Sequence, residues 1–196
     1  MNIVVMVSGN GSNLQAIIDA VECGGIPGAS IALVISSQAD AYALTRASKH
    51  GIHVLTAGKN EYQDEKDRTN AILNALKNAD ADLVVLAGYM QILPLEIINA
   101  YEGRIINIHP SLIPKYCGKG YYGLRVHKAV IDAGENVSGA TVHYVDEGVD
   151  SGPIIIQETV PVLKGDDAES LAARVLDTEH RLLVDALRAI ALERWG

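Results

Sequence analysis

The sequence has almost no cysteine. Cys23 and Cys117 are the only two among 196 residues, too few for a disulfide framework, so a reducing compartment is expected. Long hydrophobic runs are missing too: the longest nearly apolar stretch, Leu83 to Met90, is too short to span a bilayer. The chain starts Met1-Asn2-Ile3 with no basic leader, so no secretory signal is read and the cytoplasm is the expected location. Cations are the minority, 16 Lys and Arg against 24 Asp and Glu, for a net charge of −8. That balance argues against nonspecific nucleic-acid binding, which needs a basic face to neutralise phosphates. Six histidines and two cysteines show no metal-ligand spacing, so no metal is expected. There is no G-x-S-x-G elbow, and Ser111 lies in a Pro-flanked loop, which speaks against a serine hydrolase. We find no repeat, low-complexity tract or linker.

What is present suits a single large domain. Apolar residues make up 48% and charged residues 20%, which excludes a disordered chain. A unit of this length buries roughly 70% of its unfolded surface. One segment departs from the acidic balance: Gly103 to Ile131 carries Arg104, Lys115, Lys119, Arg125 and Lys128 and no acid. Such a cluster either holds a small anion or is a chance grouping on a solvated face.

Apolar runs at Asn2 to Val7, Ser30 to Ser36, Ile52 to Thr56, Asp82 to Ala87 and Arg104 to Ile108 read as strands. Helical spacing separates them: Leu14, Ile17, Ile18 and Val21, then Ala41 to His50, Asp64 to Lys77 and Pro94 to Tyr101. Alternating strands and helices imply a parallel sheet covered on both faces. After residue 110 the pattern changes. A Pro-, Gly- and Tyr-rich loop leads to a helix near Leu124 to Ala133, then to two extended runs, Gly139 to Val145 and Pro153 to Leu163, that read as an antiparallel pair. Asp166 followed by Glu169 reads as a capping box opening a long last helix. The expected class is α/β, an open Rossmann-like sheet with a parallel N-terminal part, a C-terminal antiparallel pair and a long C-terminal helix.

Ligands of open α/β sheets sit at the carboxyl ends of strands. Three such ends stand out: Ser8 to Asn13, Gly88-Tyr89-Met90, and Asn107 to Ser111. The first is a glycine-rich strand-to-helix turn, where free N–H groups attract an anion; the alternative is a plain tight turn. It is neither a Walker A loop nor a dinucleotide fingerprint, because Leu14 stands where the third glycine belongs. Gly118 to Gly123 matches G-x-G-x-x-G by letter but does not directly follow a strand. Asn107 and His109 are two apart, so on a strand both point to one side. An amide donor beside an imidazole can stabilise an oxyanion and shuttle a proton; the alternative is a satisfied polar pair at a strand end. The acidic turn Asp146 to Pro153 does not fit a calcium loop. Folded over the sheet end, one of its carboxylates could orient His109; Asp146 and Glu147 read more simply as solvated turn residues, and His143 as a residue of the site.

Taken together, Val7 to Gln15, Val85 to Met90, Asn107 to Pro114, and Gly139 to His143 through Asp150 to Pro153 resemble the phosphoribosylglycinamide formyltransferase family, over nearly the whole chain. Methionyl-tRNA formyltransferases, formyltetrahydrofolate hydrolases and sugar formyltransferases share the Asn-x-His and the late Asp. The Gly-Asn-Gly-Ser-Asn turn and the short chain point to the glycinamide enzymes. The resemblance implies the formyltransferase fold as one domain over 1–196, with 1–102 as the phosphate and ribonucleotide half and 103–196 as the formyl-folate and catalytic half. It implies formyl transfer from the cosubstrate 10-formyltetrahydrofolate to glycinamide ribonucleotide, in a monomer or homodimer. Hydrolysis of the formyl donor, or binding without turnover, are the alternatives.

By the same resemblance Asn107 would hold the formyl oxygen, His109 would be the general acid/base, and Asp150 would orient or charge-couple it and help relay the amine proton. Gly11, Ser12 and Asn13 would hold the phosphate, Gly88 and Tyr89 would line the ribonucleotide path, and Glu179 would accept from ribose hydroxyls. Met90, Gln91, Ile92 and Leu93 would face the folate ring, with Val145, Asp146, Glu147, Gly148 and Asp150 reading its edge and His143 in support. The Ile113–Pro114 bond is expected cis. Gln91 stands where many members carry arginine, Cys117 replaces a common proline, and Gly118 to Gly123 is a variant stretch. The basic residue that contacts phosphate in relatives has no clear match here, and Arg68 is a candidate.

Overall fold

The computed structural model describes residues 1–195; Gly196, the last residue of the expected domain, lies outside them. The chain begins with β1 (Asn2–Val7), buried from Ile3 onward because neighbours cover it on all sides. Gly11 then turns the chain into α1 (Ser12–Glu22) at a φ of 75°, and a Cβ there would lie 2.6 Å from the Ala43 Cβ. A glycine is therefore required on two counts, backbone conformation and close approach. Next come β2 (Ser30–Ser36), α2 (Tyr42–Lys49), β3 (Val54–Thr56), α3 (Glu65–Asn78), β4 (Leu83–Leu86), α4 (Leu95–Ala100) and β5 (Ile105–His109). The last part holds α5 (Leu124–Asp132), β6 (Val137–Tyr144), β7 (Ile154–Pro161) and α6 (Ala168–Trp195).

One seven-stranded sheet runs through all of this in the order β3-β2-β1-β4-β5-β6-β7. The pairs from β3 to β5 are parallel, whereas β5–β6 and β6–β7 are antiparallel. The direction of travel across the sheet reverses between β1 and β4. Their carboxyl ends part there, which opens the crevice where such sheets take ligands.

Alternation along the strands feeds two cores. Ile3, Val5 and Val7 face one side with Leu14 and Ile17 of α1 and a row on α6 that includes Leu171, Val175 and Leu183. Val4 and Met6 face the other with Ile72 and Leu76 of α3 and Ile97 of α4. On β5, Ile106 and Ile108 join the first core and Ile105 the second. Asn107 and His109 therefore face the second side. So do Thr141 and His143 of β6, since Ala140 and Val142 alternate into the first core. No residue of β6 belongs to the second core, so beside β5 that face carries polar side chains instead of a helix.

Most boundaries shift by a residue or two from the sequence reading, and three of the differences have a clear local reason. β3 starts at Val54 rather than Ile52, because the Ile52 N–H closes α2 by donating to the Ala47 carbonyl at 3.0 Å. β6 starts at Val137 rather than Gly139, because β7 extends to Pro161 and pairs with it. The helix cap is Asp167, not Asp166. Asp167 Oδ1 accepts from the Ser170 N–H at 2.8 Å and Ser170 Oγ accepts from the Asp167 N–H at 2.9 Å. Asp166 is occupied by Arg174, at 2.6 and 2.8 Å, which with the Leu163 N–H holds its carboxyl well below the usual range. α6 spans 28 residues, about 42 Å at the helical rise. Among the described residues no helix is long and apolar enough to cross a membrane.

Candidate active site

β5 and β6 pair so that Asn107 stands opposite His143, and His109 opposite Thr141. Directly opposed residues share a face, so three of the expected groups arrive together by register alone. Asp150 comes from the turn between β6 and β7, at a φ of 56° that non-glycine residues seldom adopt. Its Oδ1 accepts from Asn107 Nδ2 at 3.4 Å, and its Oδ2 accepts from the Gly118 N–H at 2.9 Å and lies 3.5 Å from His109 Nδ1.

The ring protons follow from the partners, since a carbonyl can only accept. Both partners of the His109 ring only accept, and the closer one, the Tyr116 carbonyl 2.9 Å from Nε2, takes the ring hydrogen in preference to Asp150 Oδ2, 3.5 Å from Nδ1. His143 Nδ1 donates to the Tyr144 carbonyl at 2.7 Å, so its Nε2 accepts from Asn107 Nδ2 at 3.2 Å. His143 thereby fixes which way the Asn107 amide faces.

Burial pushes His109 below its ordinary value, and Asp150 and the Tyr116 carbonyl oppose this without cancelling it. Burial alone would raise Asp150, but His143, the His109 ring and the Gly118 N–H outweigh it and hold the carboxyl below its usual range. His127 of α5, 3% exposed, is pushed down to about 4 by burial and by His109, so it stays neutral near pH 7. The arrangement is an imidazole that starts neutral beside a carboxylate that stays charged. A proton taken up at Nδ1 would be stabilised at once.

These groups lie in a cleft of about 590 Å³, a size that takes a drug-sized molecule. One wall is Gly88 to Leu93, with Met90 and Ile92 exposed and Leu93 buried. The other is Val145 to Asp150, where Asp146 Oδ1 accepts from the Gly148 N–H at 3.0 Å and from Ser151 Oγ at 2.7 Å. Asp146 and Glu147 thus line the cleft, whereas the simpler reading makes them turn residues alone. Gly152 closes this turn so tightly that a Cβ would stand 1.9 Å from the Tyr144 carbonyl oxygen. Gly152→Ala is expected to lower stability by about 1–3 kcal/mol, as overpacking does, and to reduce activity by shifting Asp150. Denaturant midpoint and turnover measured together check this.

Gly11, Ser12, Asn13 and Glu179 do not line that cleft. They form a second cluster at the carboxyl end of β1, where Asn13 Nδ2 donates to Glu179 Oε2 at 2.9 Å across α1 and α6. The clusters adjoin: Ser8 Oγ, just before the glycine turn, accepts from the Met90 N–H at 2.8 Å. Arg46 braces the turn by donating to the Asn10 carbonyl and to Asn10 Oδ1, each at 2.9 Å. Glu179 is buried, which pushes its carboxyl up to about 7, only partly opposed by the Asn13 bond.

A carboxyl with a raised value binds a proton in the folded chain that the unfolded chain has lost. Its stabilising contribution is complete below about 4.5 and gone above about 7. Thermal melts of the ligand-free protein should therefore show Glu179→Gln gaining stability over the parent at pH 8 and not at pH 5.

Some expectations move. Arg68 is buried and committed to Gln91 Oε1 and to Glu65 at 3.1 Å, so it braces the Gln91 wall rather than the glycine turn. The five-cation segment does not form one site. Lys115 pairs with Glu135, Lys128 with Asp132, Arg104 stacks on Tyr101 and Arg125 on Tyr122; only Lys119 lines the cleft. Tyr116 and Gly118 are site members the residue pattern does not announce, because each contributes a backbone group. The available signal was the glycine-rich Gly118 to Gly123, whose three glycines all take positive φ and which lines the cleft. The Ile113–Pro114 bond is cis as expected. Among the described residues no group of three or more His, Cys, Asp and Glu is disposed to hold a metal ion.

The sequence matches the family model described as formyl transferase over residues 1–187. It is 42% identical over 192 residues to the chloroplastic phosphoribosylglycinamide formyltransferase of Vigna unguiculata, covering 98% of this chain and 61% of that protein. It is 43% identical over 184 residues to the phosphoribosylglycinamide formyltransferase of Escherichia coli (strain K12), covering 93% of this chain and 83% of that one. The crystal structure of glycinamide ribonucleotide transformylase 1 from Symbiobacterium toebii superposes with a TM-score of 0.92 at 42% identity, over 99% of this chain and 89% of that chain. The chain thus spans less than two thirds of the plant relative's length.

Proposed function

This chain belongs to the formyl transferase family, and on that premise we propose that it transfers a formyl group from 10-formyltetrahydrofolate to the amine of glycinamide ribonucleotide, a step of purine biosynthesis. The observation that carries the reading is the meeting of Asn107, His109 and Asp150 in a cleft that adjoins the glycine turn at the strand-order reversal.

The ribonucleotide phosphate sits on the N-terminus of α1 at Gly11, Ser12 and Asn13, where unpaired N–H groups and the helix dipole favour an anion. Glu179 accepts from the ribose hydroxyls. Gly88 and Tyr89 lead the chain of atoms from there to the cleft. The folate ring lies between Met90 to Leu93 and the backbone of Val145 to Asp150. Residues 1–102 thus hold the nucleotide, and 103–196 carry the formyl donor and the chemistry. Both partners in the reaction are small molecules.

The neutral amine attacks the formyl carbon, and the carbonyl π pair moves onto oxygen. Asn107 Nδ2 then exchanges one of its two long hydrogen bonds for one to that oxyanion; one such donor contributes on the order of 10²–10³-fold. The attacking nitrogen loses a proton to His109 Nδ1, with Asp150 stabilising the resulting charge. The tetrahedral centre collapses, the bond from carbon to N10 of the folate breaks, and His109 Nδ1 passes its proton to N10, which returns the ring to its neutral form. His143 keeps the Asn107 amide aimed, and fixing both reactants side by side supplies a further large gain.

Incubation with the formyl donor and glycinamide ribonucleotide tests the reading. Formylated amide product supports it. Formate released independently of the amine makes the protein a hydrolase, and binding of both without turnover makes it a non-catalytic module.

A further inference from the structure

The segment from Tyr116 to Gly123 reaches both members of the His109–Asp150 pair through its backbone, by the Tyr116 carbonyl and the Gly118 N–H. The carbonyl reaches His109 because Tyr116 holds a φ of 53°, a left-handed conformation that bulky residues avoid. Tyr116 is only partly buried against the first core and meets the Tyr121 ring edge-on, with centroids 6.1 Å apart. Behind the segment lies a second cavity of about 300 Å³, bordered by Leu112, Pro114, Val130 and Ser138.

Glu135, in the turn that follows α5, spans this gap. Its Oε1 accepts from the Tyr116 hydroxyl at 3.0 Å and from Lys115 Nζ at 2.8 Å. Lys115 is itself tied down, since its N–H donates to the Leu112 carbonyl at 3.0 Å and its carbonyl accepts from Ser111 Oγ at 2.6 Å. One carboxylate therefore grips two successive residues, and the second presents the carbonyl that His109 Nε2 meets.

We propose that Glu135 is a positioning residue for His109. By holding Tyr116 in its left-handed conformation it keeps the carbonyl against Nε2, selects the tautomer protonated there, and leaves Nδ1 facing Asp150 and the reacting carbon. This rests on the proposed role of His109. Glu135 touches no substrate and acts only through the Tyr116 backbone.

Two readouts test it: the ¹⁵N spectrum of the His109 ring in the ligand-free protein, and steady-state turnover. The parent should show hydrogen on Nε2 and none on Nδ1. Glu135→Ala should give a mixture of tautomers and lower kcat roughly tenfold through misplacement of the ring, with both KM values close to the parent's. Glu135→Gln keeps an oxygen that accepts from the Tyr116 hydroxyl and should recover most of both signals. Should Glu135→Ala fail to fold, Tyr116→Phe removes one hydrogen bond and is read the same way. An unchanged tautomer overturns the proposal, whether kcat is retained or falls, because a fall without it makes Glu135 only structural. Full turnover in His109→Ala would instead overturn the reading of His109, while the spectra still decide whether Glu135 sets the ring.

Discussion

His109→Ala is expected to lower kcat by about 10²–10⁴-fold, the usual contribution of a positioned general acid/base, while leaving the KM of both substrates near the parent value. The split follows from geometry. His109 is 4% exposed at the back of the cleft, whereas the walls proposed to bind folate and nucleotide are other residues. Its removal also frees the Tyr116 carbonyl, so a thermal melt must accompany the kinetics. A folded variant with parental turnover would remove the imidazole from the mechanism. Because burial holds His109 below its ordinary value, the parent's activity should persist into mildly acidic buffer and fall only once the free ring is protonated.

Asp150→Asn is the second large effect, with kcat expected to fall on the order of 10²–10⁴-fold. Asparagine is chosen because it tolerates the left-handed φ of 56° and keeps an oxygen for the Gly118 N–H at 2.9 Å. What it removes is charge. Asp150 is the strongest influence opposing the burial of His109, so its neutralisation lowers the imidazole further and weakens it as a base. The acid limb of the pH–rate profile should move to lower pH along with the drop in kcat. A profile of unchanged shape and height would leave the turn as scaffold.

The legible parts of the fold and site were those with periodicity. Val4 and Val5 bury on opposite faces because strands alternate, and the same alternation sets Asn107 and His109 on one side of β5. The contributions from irregular backbone were not legible. A carbonyl at Tyr116 or an N–H at Gly118 has no residue-type signature, since every residue offers one. Asp166 and Asp167 were equivalent as letters; Arg174, eight residues away from Asp166, decides between them. The five cations sit close along the chain yet disperse, because loop and helix send successive side chains in different directions.

The pairing of β5 with β6 carries a consequence for how such a catalyst can diversify. Asn107 against His143 and His109 against Thr141 are locked by strand hydrogen bonds, and a slip of one residue would turn all four into the aliphatic interior. An insertion there would part Asn107 from His143 and His109 from Thr141. The stretch from 119 to 123 carries no such ladder, so its side chains can be exchanged for those of a homologue while the Gly118 N–H keeps its hold on Asp150.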